Sequence, residues 1–152
     1  MPKPIPCPLP DGIQRATSAL SLRFGDPRLS ADSNVSCATC HEPPHGFTVS
    51  TRVAKGIRGQ AGNRNHPALL NRIMLSVGED RQFRDGRATS VEDALLHALA
   101  DPTEMKAEPT AIVDKLTGIE GYRLQVECLY GDVSWDAIGD AIGAVVRLPG
   151  HG

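Results

Sequence analysis

The chain has 152 residues, 40% of them hydrophobic and 22% charged, with a formal net charge of −2 at pH 7. That is the size and make-up of one globular domain. The near-balanced charge gives no electrostatic basis for binding nucleic acid or an anionic membrane. No apolar run reaches the roughly 20 residues that a membrane span needs.

Residues 1–12 alternate proline with other residues, which favours an extended arm and forbids a helix. Cys7 in that arm reads as a thiol without a role. Residues 13–152 read as a single domain. Ile13, Ala16, Leu20 and Phe24 recur at helical spacing, and Gly25-Asp26-Pro27 ends that helix. Residues 30–36 are rich in turn formers and lead into Cys37-Ala38-Thr39-Cys40-His41. After Glu42-Pro43-Pro44-His45-Gly46-Phe47, the long stretch to Asn65 has little periodicity, and a loop of that length is usually functional or covers something.

Pro67 to Met74 reads as a short helix with proline in its first turn. Ser90 and Asp93 resemble a capping box opening a helix whose stripe is Val91, Leu95 and Leu99, and Asp101-Pro102 stops it. Pro109 to Leu116 and Tyr122 to Tyr130 are further helices. Ser134 caps a last one with Trp135, Ile138, Ile142 and Val145 on one face, and Pro149 closes it. Gly139 and Gly143, four apart, suit close helix packing within the protein rather than a membrane dimer. No segment alternates as a strand does, so the expected fold is all-α, several short helices joined by long loops.

Two thiols separated by two residues and followed at once by an imidazole form the attachment pattern of a c-type haem. Cys37 and Cys40 would form thioethers to the porphyrin, and His41 would offer a ring nitrogen to the iron. One covalent haem c would also add apolar mass to a core with only 4% aromatic residues, and one of its faces would be what the long loop to Asn65 covers. A zinc site at Cys37 and Cys40 would need further ligands, and Cys128, His66 and His97 stand alone in sequence. A thioredoxin-type pair would need a βαβ context that the pattern lacks. Haem attachment of this kind belongs to an extracytoplasmic compartment, so a periplasmic location is expected. The opening residues contain no apolar leader core, which implies a removed leader or an incomplete frame.

Five blocks then carry a family resemblance: Phe24-Gly25-Asp26-Pro27-Arg28-Leu29-Ser30, Ser36-Cys37-Ala38-Thr39-Cys40-His41, Arg64-Asn65-His66-Pro67-Ala68-Leu69-Leu70-Asn71, Phe83-Arg84-Asp85-Gly86-Arg87-Ala88 and Asp101-Pro102-Thr103-Glu104-Met105. In this order and spacing, from about Leu22 to Val146, they resemble the N-terminal haem domain of bacterial di-haem cytochrome c peroxidases. Gly46-Phe47-Thr48 is closer to the branch that contains the methylamine-dehydrogenase maturation enzymes.

The resemblance implies a cytochrome c-like haem domain and an oxidoreductase that reduces hydrogen peroxide with electrons from a small redox protein. It implies that Glu104 is the acid/base on the distal side. A carboxyl whose pKa is raised in a partly apolar site suits that task. It also implies a second haem domain that is absent from this chain. Asn65 matches a residue that helps hold calcium between the two domains, although the other calcium ligands would come from that absent half.

Several positions depart from the family. Arg84 stands where a bridging Trp is common, Ala94 and Ala98 stand at a distal Gln and Pro, and Ile57 lies near the place of a distal His. Arg64, Arg84 and Arg87 suit pairing with haem propionates. His45 and His66 read as surface residues, and His97 as a satisfied, partly buried helix histidine. The alternative function is a non-catalytic mono-haem electron-transfer protein, or half of a di-haem enzyme.

Overall fold

Each helix must satisfy the amides that its first turn leaves without partners, and this sequence supplies a polar side chain at most starts. The computed structural model describes residues 24–69 and 81–147. Five α-helices occur among them: α1 (Cys37–Cys40), α2 (Val91–Ala100), α3 (Pro109–Thr117), α4 (Glu120–Tyr130) and α5 (Trp135–Val146). Single 3-10 turns lie at Pro27–Leu29, Pro43–His45 and Ile57–Gly59. The described residues contain no strand, only three isolated antiparallel bridges, Glu42 with Thr48, Lys55 with Ala61 and Gln82 with Ala88. The all-α reading holds.

The caps follow the sequence closely. Ser90 Oγ accepts the Asp93 amide at 3.0 Å. The Asp93 carboxylate reaches one residue further back than a capping box requires, accepting from the Thr89 amide at 2.8 Å. In α3, Pro109 occupies the first position and the Glu108 carboxylate accepts the Ala111 amide at 2.7 Å. Ser134 Oγ accepts the Ala137 amide at 3.2 Å at the start of α5. Helix α4 begins two residues before the expected Tyr122 and stops at Gly131, whose φ of 90° suits glycine.

Helix α2 lies along α5. A Cβ on the buried Gly139 would sit 3.0 Å from two carbons of Leu96, so glycine here permits the close approach. At the next turn the Glu92 carboxylate of α2 pairs with Arg147. The two glycines therefore serve helix packing, as their spacing predicts. Leu29, Leu99, Ile112, Leu116, Val126 and Ile142 are almost entirely out of solvent, each worth about 1.5–3 kcal/mol of burial.

The segment before α1 is tied to this helical core by polar groups. The buried Asp26 carboxylate accepts from Tyr122 Oη at 2.5 Å and from the Arg28 guanidinium at 2.6 Å. Lys115 Nζ donates to the carbonyls of Arg28 and Ser30 at 3.0 and 3.3 Å. The Ala31 amide donates to the Met105 carbonyl at 3.0 Å.

One expected helix differs. Pro67 to Leu69 is irregular, and the His66 carbonyl that would open a helix there accepts the Thr48 hydroxyl at 2.7 Å. The remainder of that expected helix lies outside the described residues. So do the 1–12 arm, the expected helix before Phe24, and Pro149.

Candidate functional site

The two cysteines open and close α1. A single helical turn places residues three apart on one face, so both thiols present to the same side. The Thr39 hydroxyl accepts the Ser36 amide at 3.0 Å, and the His41 amide donates to the Cys37 carbonyl at 2.8 Å. These bonds fix His41 directly after the turn.

The chain then loops back on itself. The Glu42–Thr48 bridge closes a short loop in which Gly46 and Phe47 both have positive φ, 69° and 57°. For Phe this left-handed conformation is costly, and a surrounding structure must hold it. Its outcome is that the Phe47 carbonyl lies 2.9 Å from His41 Nδ1. A carbonyl oxygen only accepts, so Nδ1 carries the proton and Nε2 keeps its lone pair for a metal.

Burial, reinforced by the neighbouring Glu104, pushes the Cys37 thiol up to about 12 and the Cys40 thiol up to about 11. Both are neutral thiols at physiological pH. A redox-active Cys-x-x-Cys pair has the opposite shift, toward thiolate. Among the described residues no group of three His, Cys, Asp or Glu side chains could hold a metal ion, so the zinc alternative finds no ligand set there. Cys128 is disulfide-bonded rather than a thiol available for a metal.

His41 opens onto a cavity of about 1260 Å³. That exceeds the ~300–1,000 Å³ of an ordinary small-molecule pocket. The 52–67 loop forms one wall, the 82–87 segment another, and α2 contributes Ala94, Leu95 and Ala98. The two alanines put only small side chains on that wall. Glu104 stands on the same cavity, in the turn after α2. Burial, and next the negative Asp101, raise its carboxyl to about 7 against a weaker opposing pull from Arg87. The thiols of Cys37 and Cys40 both feel its charge.

Arg64, Arg84 and Arg87 all reach the cavity rim, as does Asn65. Arg87 stacks on the Phe83 ring at 3.8 Å and pairs with Asp85 at 2.9 Å. Ile57 is buried, and its amide donates to the Glu104 carbonyl at 2.7 Å. His45 is exposed and bonded to Glu42; His97, expected to be partly buried, is exposed instead, on the solvent side of α2 beside Asp93 one turn earlier.

His66 departs from its expected surface position. It is half-buried on the cavity wall with its ring centroid 5.2 Å from that of His41, and burial lowers its pKa. The Thr48 hydroxyl draws it inward by holding its carbonyl. The Phe47 carbonyl and Gly56 are further site elements that side-chain chemistry did not single out. Only the run Gly46-Phe47-Thr48 hinted at the first of them.

Residues 21–148 match the family model described as di-haem cytochrome c peroxidase. The chain belongs to the di-haem cytochrome c peroxidase family. It is 31% identical over 150 residues to the methylamine utilization protein MauG of Methylophilus methylotrophus, covering 96% of this chain and 43% of that one. Against the cytochrome c peroxidase Ccp of Escherichia coli it is 37% identical over 106 residues, covering 70% and 22%. The chain thus spans less than half the length of these relatives. Its fold superposes on the diheme peroxidase BthA of Burkholderia thailandensis, as the Y463M variant, with a TM-score of 0.76 and 25% identity, over 91% of this chain and 40% of that one. A MauG-like protein associated with microbial copper homeostasis gives 0.72 and 26%, over 97% and 45%.

Membership of the di-haem cytochrome c peroxidase family implies a c-type haem. The local geometry fits one: two neutral thiols one turn apart, an imidazole with its Nε2 lone pair kept, and a cavity of porphyrin scale beside it. Among the described residues no helix is long and apolar enough to cross a membrane.

Proposed function

We propose that this chain is the peroxide-reducing haem domain of a cytochrome c peroxidase-type oxidoreductase. Cys37 and Cys40 would tether one haem c, and His41 would bind its iron through Nε2. Bound there, the haem would supply the iron centre and the redox chemistry for reducing hydrogen peroxide to water.

The chain's own work is to move protons. A Glu104 carboxylate oxygen takes the proton from one peroxide oxygen and returns it to the other, which leaves as water. Two electrons and two protons in all turn one peroxide into two waters. The observation that carries this reading is Glu104 itself, a half-buried carboxyl on the cavity that His41 opens onto, with a pKa of about 7. A group with that pKa accepts and gives up a proton with equal ease near neutral pH. Arg64, Arg84 and Arg87 on the rim suit the haem propionates.

The proposal takes residues 13–152 as one domain, with 1–12 as an arm. A small redox protein donates the electrons. In a di-haem arrangement they arrive through a second haem outside these 152 residues. A disulfide at Cys128 suits an oxidising compartment, in keeping with the periplasm. A calcium ion at Asn65 would need ligands from outside the chain.

The test is peroxide-dependent oxidation of a reduced small cytochrome by the haem-loaded chain. Glu104→Gln should lower the rate by about 10²–10⁴-fold while haem content is unchanged. Turnover in Glu104→Gln equal to that of the wild type would overturn the role of Glu104. A haem-loaded chain that consumes no peroxide would favour the electron-transfer alternative.

A further inference from the structure

Glu104 sits on a short turn, yet both sides of that turn are fixed. On its own side, the Thr103 amide and hydroxyl donate to Asp101 Oδ1 at 2.7 and 2.6 Å, and the Glu104 amide donates to the Asp101 carbonyl at 3.1 Å. One residue on, the Met105 carbonyl is held by the Ala31 amide. From across the cavity wall comes the segment 54–62, closed on itself by Gly62 N to Ala54 O at 3.0 Å and Gly56 N to Gln60 O at 2.8 Å. Its Ile57 amide donates to the Glu104 carbonyl at 2.7 Å.

The approach is so close that no side chain fits at Gly56. A Cβ there would lie 2.0 Å from the Thr103 carbonyl oxygen, 2.7 Å from the Glu104 carbonyl oxygen and 2.8 Å from the Glu104 Cα. All three are backbone atoms and cannot rotate aside. The φ of Gly56 is −88°, so the constraint is space and not conformation.

We infer that Gly56 and the Ile57 amide are positioning elements for Glu104: the bare backbone at 56 lets the segment 54–62 clamp the Thr103–Glu104 peptide and set where the carboxyl enters the cavity. The inference rests on the proposed role of Glu104 and adds what holds it in place. Among the described residues, the charged and titratable groups facing that carboxyl are Asp101 from its own turn, Arg87 from the 81–88 segment, and the thiols of Cys37 and Cys40 from α1.

The test compares Gly56→Ala, Gly59→Ala and Glu104→Gln in the haem-loaded protein. Gly59 has a φ of 73°, and a Cβ there would meet nothing within 4 Å, so alanine strains the same segment without touching Glu104. An infrared difference titration follows the Glu104 carboxyl, its band assigned by its loss in Glu104→Gln. In Gly56→Ala the displaced carboxyl gains solvent, and its midpoint should fall by a unit or more from the wild-type value toward the ordinary 4.5. The acid limb of the peroxide rate should move with it, and kcat should drop about 10²-fold, as an ångström of misplacement does. Gly59→Ala should leave both midpoint and limb in place.

A folded Gly56→Ala with the wild-type midpoint, or an equal shift in Gly59→Ala, would overturn the inference. Should Gly56→Ala not fold, amide exchange in the wild type decides: the Ile57 amide should be protected, and a fast-exchanging one contradicts the clamp. Full turnover in Glu104→Gln would remove the catalytic role alone, because the infrared titration still reads the clamp.

Discussion

His41 Nδ1 and the Phe47 carbonyl oxygen lie 2.9 Å apart, and this contact decides which imidazole nitrogen carries the proton. The carbonyl is aimed by the positive φ of Phe47, which proline cannot adopt. Phe47→Pro should therefore turn the carbonyl away while leaving Cys37 and Cys40 untouched. The expected outcome is covalent haem in wild-type amount, an altered visible spectrum, and an activity loss of about 10–100-fold, the usual cost of removing a partner of a metal-bound histidine. Absorption spectroscopy alongside a haem stain of the denatured protein checks it.

Glu104 is held in the folded protein at a cost. Its folded pKa of about 7 lies above its ordinary 4.5, so folding disfavours the charged form. Stability from this group is greatest below pH 4.5 and is lost as the pH rises toward 7. Glu104→Gln should therefore stabilise the protein by about 2 kcal/mol at pH 8 and by little at pH 4, while abolishing most of the turnover. Urea unfolding at the two pH values measures the difference.

Asp26 has the opposite sign. Burial pushes its carboxyl up, but the hydrogen bonds from Arg28 and Tyr122 outweigh that and hold it below the ordinary 3.8. Its contribution is present above pH 3.8 and fades as the pH falls through the depressed folded value. Asp26→Asn should cost on the order of 1–3 kcal/mol at pH 7 and flatten the acid limb of the stability curve. An acid titration followed by circular dichroism tests this.

At the α2–α5 contact, Gly139→Val should cost about 1–3 kcal/mol by overpacking against Leu96. Haem content should not change, because Gly139 faces Leu96 and not His41. Thermal unfolding and a haem stain together check the prediction.

Much of the helical frame was legible because its signals are local. Ser90, Pro109 and Ser134 each start a helix for reasons contained within four residues, and the paired glycines of α5 announced a close contact. The grouping of Cys37, Cys40 and His41 was legible because a single helical turn contains it. What stayed hidden depends on contacts between distant segments. The inward position of His66 comes from the hydroxyl of Thr48, 18 residues earlier. The close approach of Gly56 to Glu104 joins residues almost fifty apart, and nothing in either neighbourhood marks it.

The central claim is that Cys37, Cys40 and His41 hold a covalent haem beside Glu104. Mass spectrometry of the denatured, protease-digested protein, made with haem-maturation machinery, tests it most directly. The account predicts one haem on the peptide that contains Cys37 and Cys40, lost when both are changed to serine. An unmodified peptide from the wild-type protein would contradict it.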